Sequence, residues 1–234
     1  MAFDITAQLS VPKEIGGYNH TEIVPIILFI LRLWVNPGIV ASAISTHPFT
    51  ELASTSDDIV SIFPYEVSPR GLALSVVGSE ISAESIEWVR HNWLTAVRLA
   101  KESKEFRFAV DSLSLGQFVP NTGLIIVSLW SGLEALFSPS TTELRFRLSA
   151  LIASFLEDSG EARAKRQKDI SQLYDKRSAA AHGKPSHQKD DLLKTFELLR
   201  HVLMKMIDMG KVPSKDELEG YLFGTQQATS RSDA

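Results

Sequence analysis

The sequence predicts a mainly α fold: a helical bundle with a smaller mixed α/β segment in front of it. Three observations carry this expectation. From Ser82 almost to the end, apolar residues recur three and four positions apart, the period of a helix with one buried face. Before Gly78 the apolar stretches are short, rich in β-branched residues and bounded by Gly, Pro or Ser, as strands are. The 234-residue chain is 44% hydrophobic and 22% charged, the balance of a globular protein that buries a core without staples. The expected division is a mixed segment over residues 1–79, a helical domain over 80–224 and a polar, disordered tail over 225–234.

In the mixed segment, residues 4–11 (DITAQLSV), 58–65 (DIVSIFPY) and 72–78 (LALSVVG) read as strands. Ile23 to Leu31 is the most apolar run. It contains Pro25 and falls short of the ~20 apolar residues a membrane helix needs, so no membrane association is expected. Residues 22–34 predict a buried helix that stops before the turn Asn36-Pro37-Gly38. Residues 45–58 read as loop.

In the helical domain, Ser82 caps a helix whose buried face is Ile86, Val89, Trp93 and Val97. A short segment follows over Phe106–Leu115. The helix from about Asn121 to Phe137 carries Ile126, Leu129, Trp130, Leu133 and Phe137 on one face, and Ser138-Pro139-Ser140 ends it. Thr141 or Thr142 caps the next, which buries Leu144, Leu148, Leu151, Ile152 and Phe155. Further helices are expected over Glu161–His182, His187–Met209 and Ser214–Phe223.

Net charge is −4, which argues against a general nucleic-acid binder. The charge is uneven. Between Glu143 and Lys205 there are 13 Lys and Arg against 9 Asp and Glu; elsewhere there are 11 against 19. The basic excess of that stretch can attract a phosphate chain or can simply be a solvated helix surface. With no cysteine, disulfides and thiolate metal sites are excluded, and the chain suits a reducing cytoplasm. The N-terminus lacks the basic-then-apolar pattern of a signal peptide. Neither a P-loop, a GxGxxG, an HExxH nor a GxSxG is present. His182 and His187, five apart across a Gly-Lys-Pro turn, are a weak metal signal, and no metal or cofactor is expected.

What remains is YDKRSAAAHGK, residues 174–184. Ile170, Leu173, Tyr174 and Arg177 share one helical face. Arg177 and His182 lie about 140° apart on a continuous helix, from the ~100° advance per residue. Gly183 and Pro185 stop that helix, which puts His182 in its loosened last turn. Ser178, Ala179, Ala180 and Ala181 between them let another backbone approach. A histidine favoured by the helix dipole before a terminating glycine gives the same pattern with no function attached.

Two blocks resemble a known family. Trp130-Ser-Gly-Leu-Glu134-Ala-Leu-Phe137 resembles the W-x-x-L-E-x-L-F helix of Apea-like HEPN domains, and Leu173-Tyr174-Asp-Lys-Arg177-Ser178-x3-His182-Gly183 resembles their L-Y-x-x-R-S-x3-H-G ending. The likeness spans roughly residues 80–210. LRLWVNPG, earlier in the chain, is similar to upstream segments of such proteins. The resemblance implies a HEPN-like helical bundle and a metal-independent endoribonuclease acting on single-stranded RNA, in antiphage defence or a toxin-like system. It implies Arg177 and His182 as catalytic residues, with Glu134, Ser178 and Tyr174 in support. It also implies a homodimer whose site forms between protomers, the run of small residues fitting such a seam. The family also contains non-catalytic scaffolds or sensors that dimerise and bind a partner protein or nucleotide. Lys184 stands where HEPN toxins paired with nucleotidyltransferase antitoxins carry a tyrosine, so that pairing is not expected. The N-terminal segment is left with two readings: a trigger, through a regulatory protein partner, or packing that completes the core.

Overall fold

The computed structural model describes residues 7–52, 54, 60–67, 81–116, 118–119, 121–137, 143–183 and 187–226. The fold is mainly α. Two small antiparallel ribbons stand near the N-terminus: β1 (Glu14–Ile15) with β2 (Tyr18–Asn19), and β3 (Ala43–Ser45) with β4 (Ile62–Pro64). Between them run α1 (His20–Ile30) and a π-helical extension, Leu31–Val35. Then follow α2 (Ala83–Glu102), α3 (Lys104–Gly116), α4 (Thr122–Phe137), α5 (Leu144–Leu156), α6 (Glu161–Ala181), α7 (Lys189–Met209) and α8 (Lys215–Phe223).

Local chemistry accounts for the ends of these helices. The side chain of Asn19 accepts from the backbone of Thr21 and Glu22 while Glu22 bonds back to Asn19, a capping box that starts α1. Ser82 caps α2 through the Ser85 amide, and Ser103 accepts from Phe106 at the start of α3. Ser214 and Glu217 form a second box on α8. The extension after α1 closes on an i to i−5 bond from the Asn36 amide to the Leu31 carbonyl.

α4 is the central helix and packs against α3, α6 and α7; α5 lies on α6 and α8, and α1 on α2. Trp130 and Phe137 of α4 are fully buried, as are Phe29, Phe106 and Phe155 from the helices around it. Ile26, Phe29, Ile30 and Leu33 belong to the same hydrophobic cluster as the bundle helices. Trp34 of the extension also packs against Trp88 of α2, ring centroids 5.8 Å apart at 42°, and Arg200 of α7 sits 5.1 Å over the Trp34 ring and donates to the Leu33 carbonyl.

Several expectations are corrected. Residues 7–11 form no strand; the first strands are instead the two around the Gly16-Gly17 turn, where both glycines have positive φ (61° and 79°). Of the strand expected over 58–65, residues 58 and 59 lie outside the described residues, and among 60–65 only Ile62–Pro64 is strand; its partner Ala43–Ser45 was not expected. Ile86 is exposed, while Val89 and Val97 are buried and Trp93 partly so. The third helix is longer than anticipated, Lys104–Gly116. Residues 72–78, the breaker 138–140, the caps Thr141 and Thr142, and most of the expected tail, 227–234, lie outside the described residues. The helix expected over 22–34 is α-helical over His20–Ile30 and continues as the π-helical Leu31–Val35; the remaining helices stand within two residues of the bounds expected for them. Among the described residues no helix is long and apolar enough to cross a membrane.

Candidate active site

The two sequence blocks meet in space. α4 supplies Trp130 and Glu134, and α6 supplies Tyr174 and Arg177. The Tyr174 ring stands edge-on against Trp130, 5.2 Å between centroids at 90°. A helical side chain leans toward its helix N-terminus, so Arg177 runs back over Tyr174, its guanidinium carbon 5.5 Å from the ring centroid. There its Nη2 lies 3.0 Å from Glu134 Oε1 and donates to Oε2 at 3.2 Å. The Tyr174 hydroxyl also hydrogen-bonds Glu134. The pair is about a fifth exposed: 22% for Arg177 and 24% for Glu134.

The electrostatics follow from that burial. Desolvation pushes the Glu134 carboxyl above its ordinary range, and Arg177 and the Tyr174 bond only partly pull it back. Desolvation and the Glu134 charge likewise raise the Tyr174 hydroxyl. Arg177 Nε is buried without a hydrogen-bond partner. The guanidinium is thus tied to Glu134 through Nη2, while Nη1 has no partner among the described residues.

His182 sits apart from this pair. It is the C-cap of α6, exposed, with φ −92° and ψ 14°. Its amide donates to the Ser178 carbonyl at 3.2 Å, and Gly183, at φ 69°, donates to Ala180 at 3.2 Å, which closes the helix as its sequence implied. Ser178 is half-buried. The structure thus brings Tyr174, Arg177 and Glu134 together and leaves His182 at the helix end.

The small residues prove to have a partner inside the chain. A Cβ on Gly123, in the first turn of α4, would stand 3.5 Å from Ala180 Cβ and 3.1 Å from His187 Cε1. α6 therefore uses at least Ala180 to approach its own neighbour. Sequence reasoning noted His187 only as a weak metal signal with His182; no spacing rule links it to Gly123.

Much of the basic excess is engaged within the chain. Arg145 pairs with Asp175 at 2.9 Å, Lys194 with Asp190 at 2.6 Å and Arg200 with Glu197 at 3.0 Å. Arg163 donates to the Glu157 and Tyr221 carbonyls. Among the described residues no group of three or more His, Asp or Glu side chains is placed to hold a metal ion. Compared with protein-family models, with curated proteins and with solved structures, the chain matches none.

Proposed function

We propose that the chain is a metal-independent endoribonuclease of the HEPN type, cutting single-stranded RNA in antiphage defence or a toxin-like system. One observation carries the reading. The two blocks that resemble the family, far apart in sequence, meet as the Trp130–Tyr174 and Glu134–Arg177 contacts. A chance likeness would not require that.

In this reading Arg177 holds a phosphate oxygen through Nη1, oriented by Glu134, and stabilises charge that builds at phosphorus. The 2′-oxygen attacks, the O2′–P bond forms and the P–O5′ bond breaks. One proton leaves the 2′-hydroxyl and one reaches the departing 5′-oxygen. His182, accessible at the helix end, is the proton carrier. The products are a 2′,3′-cyclic phosphate and a 5′-hydroxyl.

The test is cleavage of single-stranded RNA by purified protein in EDTA. His182→Ala should lose at least the ~10²-fold typical of a general acid–base group, with its melting temperature unchanged. DNA, which lacks the 2′-hydroxyl, should survive. Cleavage that persists in pure His182→Ala protein would place the chemistry elsewhere.

The pairing of Arg177 with Glu134 inside the protomer favours a second reading, a dimeric scaffold in which the arginine braces α6 against α4. That reading expects no RNA cleavage from the wild type under any condition.

A further inference from the structure

Resting on the ribonuclease reading above, we infer that the first turn of α5 is a subsite that holds single-stranded RNA next to the cleaved bond. Phe146 stacks on an unpaired base there, and Arg147 takes a phosphate of the same strand.

Phe146 is 63% exposed, although a ring of that size is usually buried. The helix fixes its direction. Leu148 and Phe155, both fully buried, lie about 160–180° round the α5 axis from it, so the ring faces away from the core. Among the described residues Phe63, Phe108 and Phe223 are exposed as well, but only Phe146 stands between two arginines. Arg145 is shared with Asp175, whereas Arg147 has no side-chain partner among the described residues. Glu143, four residues before Arg147, is placed in sequence for a helical ion pair. At the N-cap, with φ 55°, it lies off the helical path and forms none. Every base offers a π-face and every nucleotide a negative charge, so a ring flanked by arginines complements an unpaired strand. An apolar protein surface covering the same ring would desolvate Arg147 with nothing to pair it.

The turn is joined to the helix that carries His182. Arg145 Nε donates to Ser171 Oγ at 2.8 Å and its Nη2 lies 2.9 Å from Asp175 Oδ2, while Gln167 donates to Ser149 at 2.9 Å. α5 therefore runs antiparallel to α6, with its amino end toward the His182 end of α6. Ser171, Asp175, Ser178 and His182 fall at i, i+4, i+7 and i+11, within about 60° of one another on α6. His182 thus continues the stripe on which Arg145 is seated, about 10 Å past Asp175 along the axis. A strand cut at His182 that follows this stripe brings a neighbouring nucleotide to the first turn of α5.

The experiment measures, by fluorescence anisotropy, the binding of a labelled single-stranded 2′-O-methyl oligoribonucleotide, which attack by a 2′-hydroxyl cannot cut. Phe146→Ala and Phe146→Leu should bind about 5- to 150-fold more weakly than the wild type, the loss of one base stack, and Phe146→Trp should bind like the wild type. Arg147→Gln should flatten the slope of log affinity against log salt by about 0.7. On cleavable RNA, Phe146→Ala should raise KM by the factor lost in binding and leave kcat unchanged. Phe146→Ala or Phe146→Leu binding as tightly as the wild type would overturn the inference. So would a Phe146→Ala variant whose only change is the loss of a dimer in light scattering, which gives the face to a second copy. A wild type that binds through Phe146 but cuts nothing removes the ribonuclease reading and upholds the subsite as an RNA-binding one. A wild type that cuts RNA while Phe146→Ala binds and cuts equally well removes the subsite alone, and one that neither binds nor cuts removes both.

Discussion

Replacing Glu134 separates charge from hydrogen bonding at the centre of the candidate site. At 3.0 Å the attraction between Glu134 and Arg177 is ~5 kcal/mol gross for an effective dielectric near 20. Burial nevertheless outweighs it, because the Glu134 carboxyl titrates above its ordinary 4.5 despite the arginine beside it. The ionised form is thus disfavoured in the folded protein relative to the unfolded chain. The sign for stability follows: the native state holds the extra proton, so Glu134's contribution is largest in acid and is lost as pH rises from about 4.5 through the raised folded value. Glu134→Gln keeps an acceptor for Arg177 Nη2 and should change stability by less than about 1 kcal/mol at pH 7. Glu134→Ala removes the acceptor and leaves Nη2 unpaired beside the already orphaned Nε, which should cost about 1–3 kcal/mol. For a chain of this size that is a fall of roughly 2–10 °C in Tm. Thermal melts of the three proteins at pH 4.5 and 7 read all of this, and the advantage of the wild type over Gln should shrink at the higher pH. A Gln variant that melts as low as the Ala variant at pH 7 would show that the charge itself holds the helices together, and the reasoning would fail.

Two further outcomes are expected. Arg200→Lys cannot both stack on Trp34 and donate to the Leu33 carbonyl, so it should destabilise by about 1–2 kcal/mol, seen as a Tm fall and faster proteolysis before Ser82. Ala180→Arg should damage the protomer itself by at least ~1–3 kcal/mol, because Ala180 packs toward Gly123, whereas Ala181→Arg, on an exposed residue, should leave Tm unchanged and dissociate a dimer in light scattering.

The helical half of the fold was legible because each helix carries its own punctuation. Ser82, Ser214 and Gly183 act on backbone groups within a few residues, so a local reading finds them. Glu134 was legible for another reason, since a sequence block resembling a known helix contained it. The N-terminal ribbons were harder. β3 and β4 have three residues each and pair across a long connection, so neither shows a period. Ile86 has the right spacing for the buried face of α2, but it lies in the first turn of that helix and remains 44% exposed. Periodicity gives the direction of a side chain and not whether anything covers it. The place of His187 was illegible, because it packs beside Gly123 of α4, a residue distant in sequence.

The Arg177–His182 motif reads as one unit in sequence, but the fold gives its two ends different freedoms. Arg177 runs back along α6 and is fixed at Tyr174 and Glu134; His182 lies forward, past the last full turn. The spacing of the motif therefore separates an anchored arginine from an exposed histidine at the helix end, and in the proposed ribonuclease reading these would be the phosphate-binding group and the proton carrier. Pinning the arginine limits the entropy lost when a phosphate arrives, because the long side chain is already ordered. In the proposed reading, a substrate joining the two would lie along α6 from Tyr174 toward the helix end, passing Ser178 and the exposed Ala181. On such a path small residues would matter, since a bulky side chain on the outer surface there would stand between phosphate and proton, and Ala181→Arg would then slow cleavage whether or not it changes the oligomeric state.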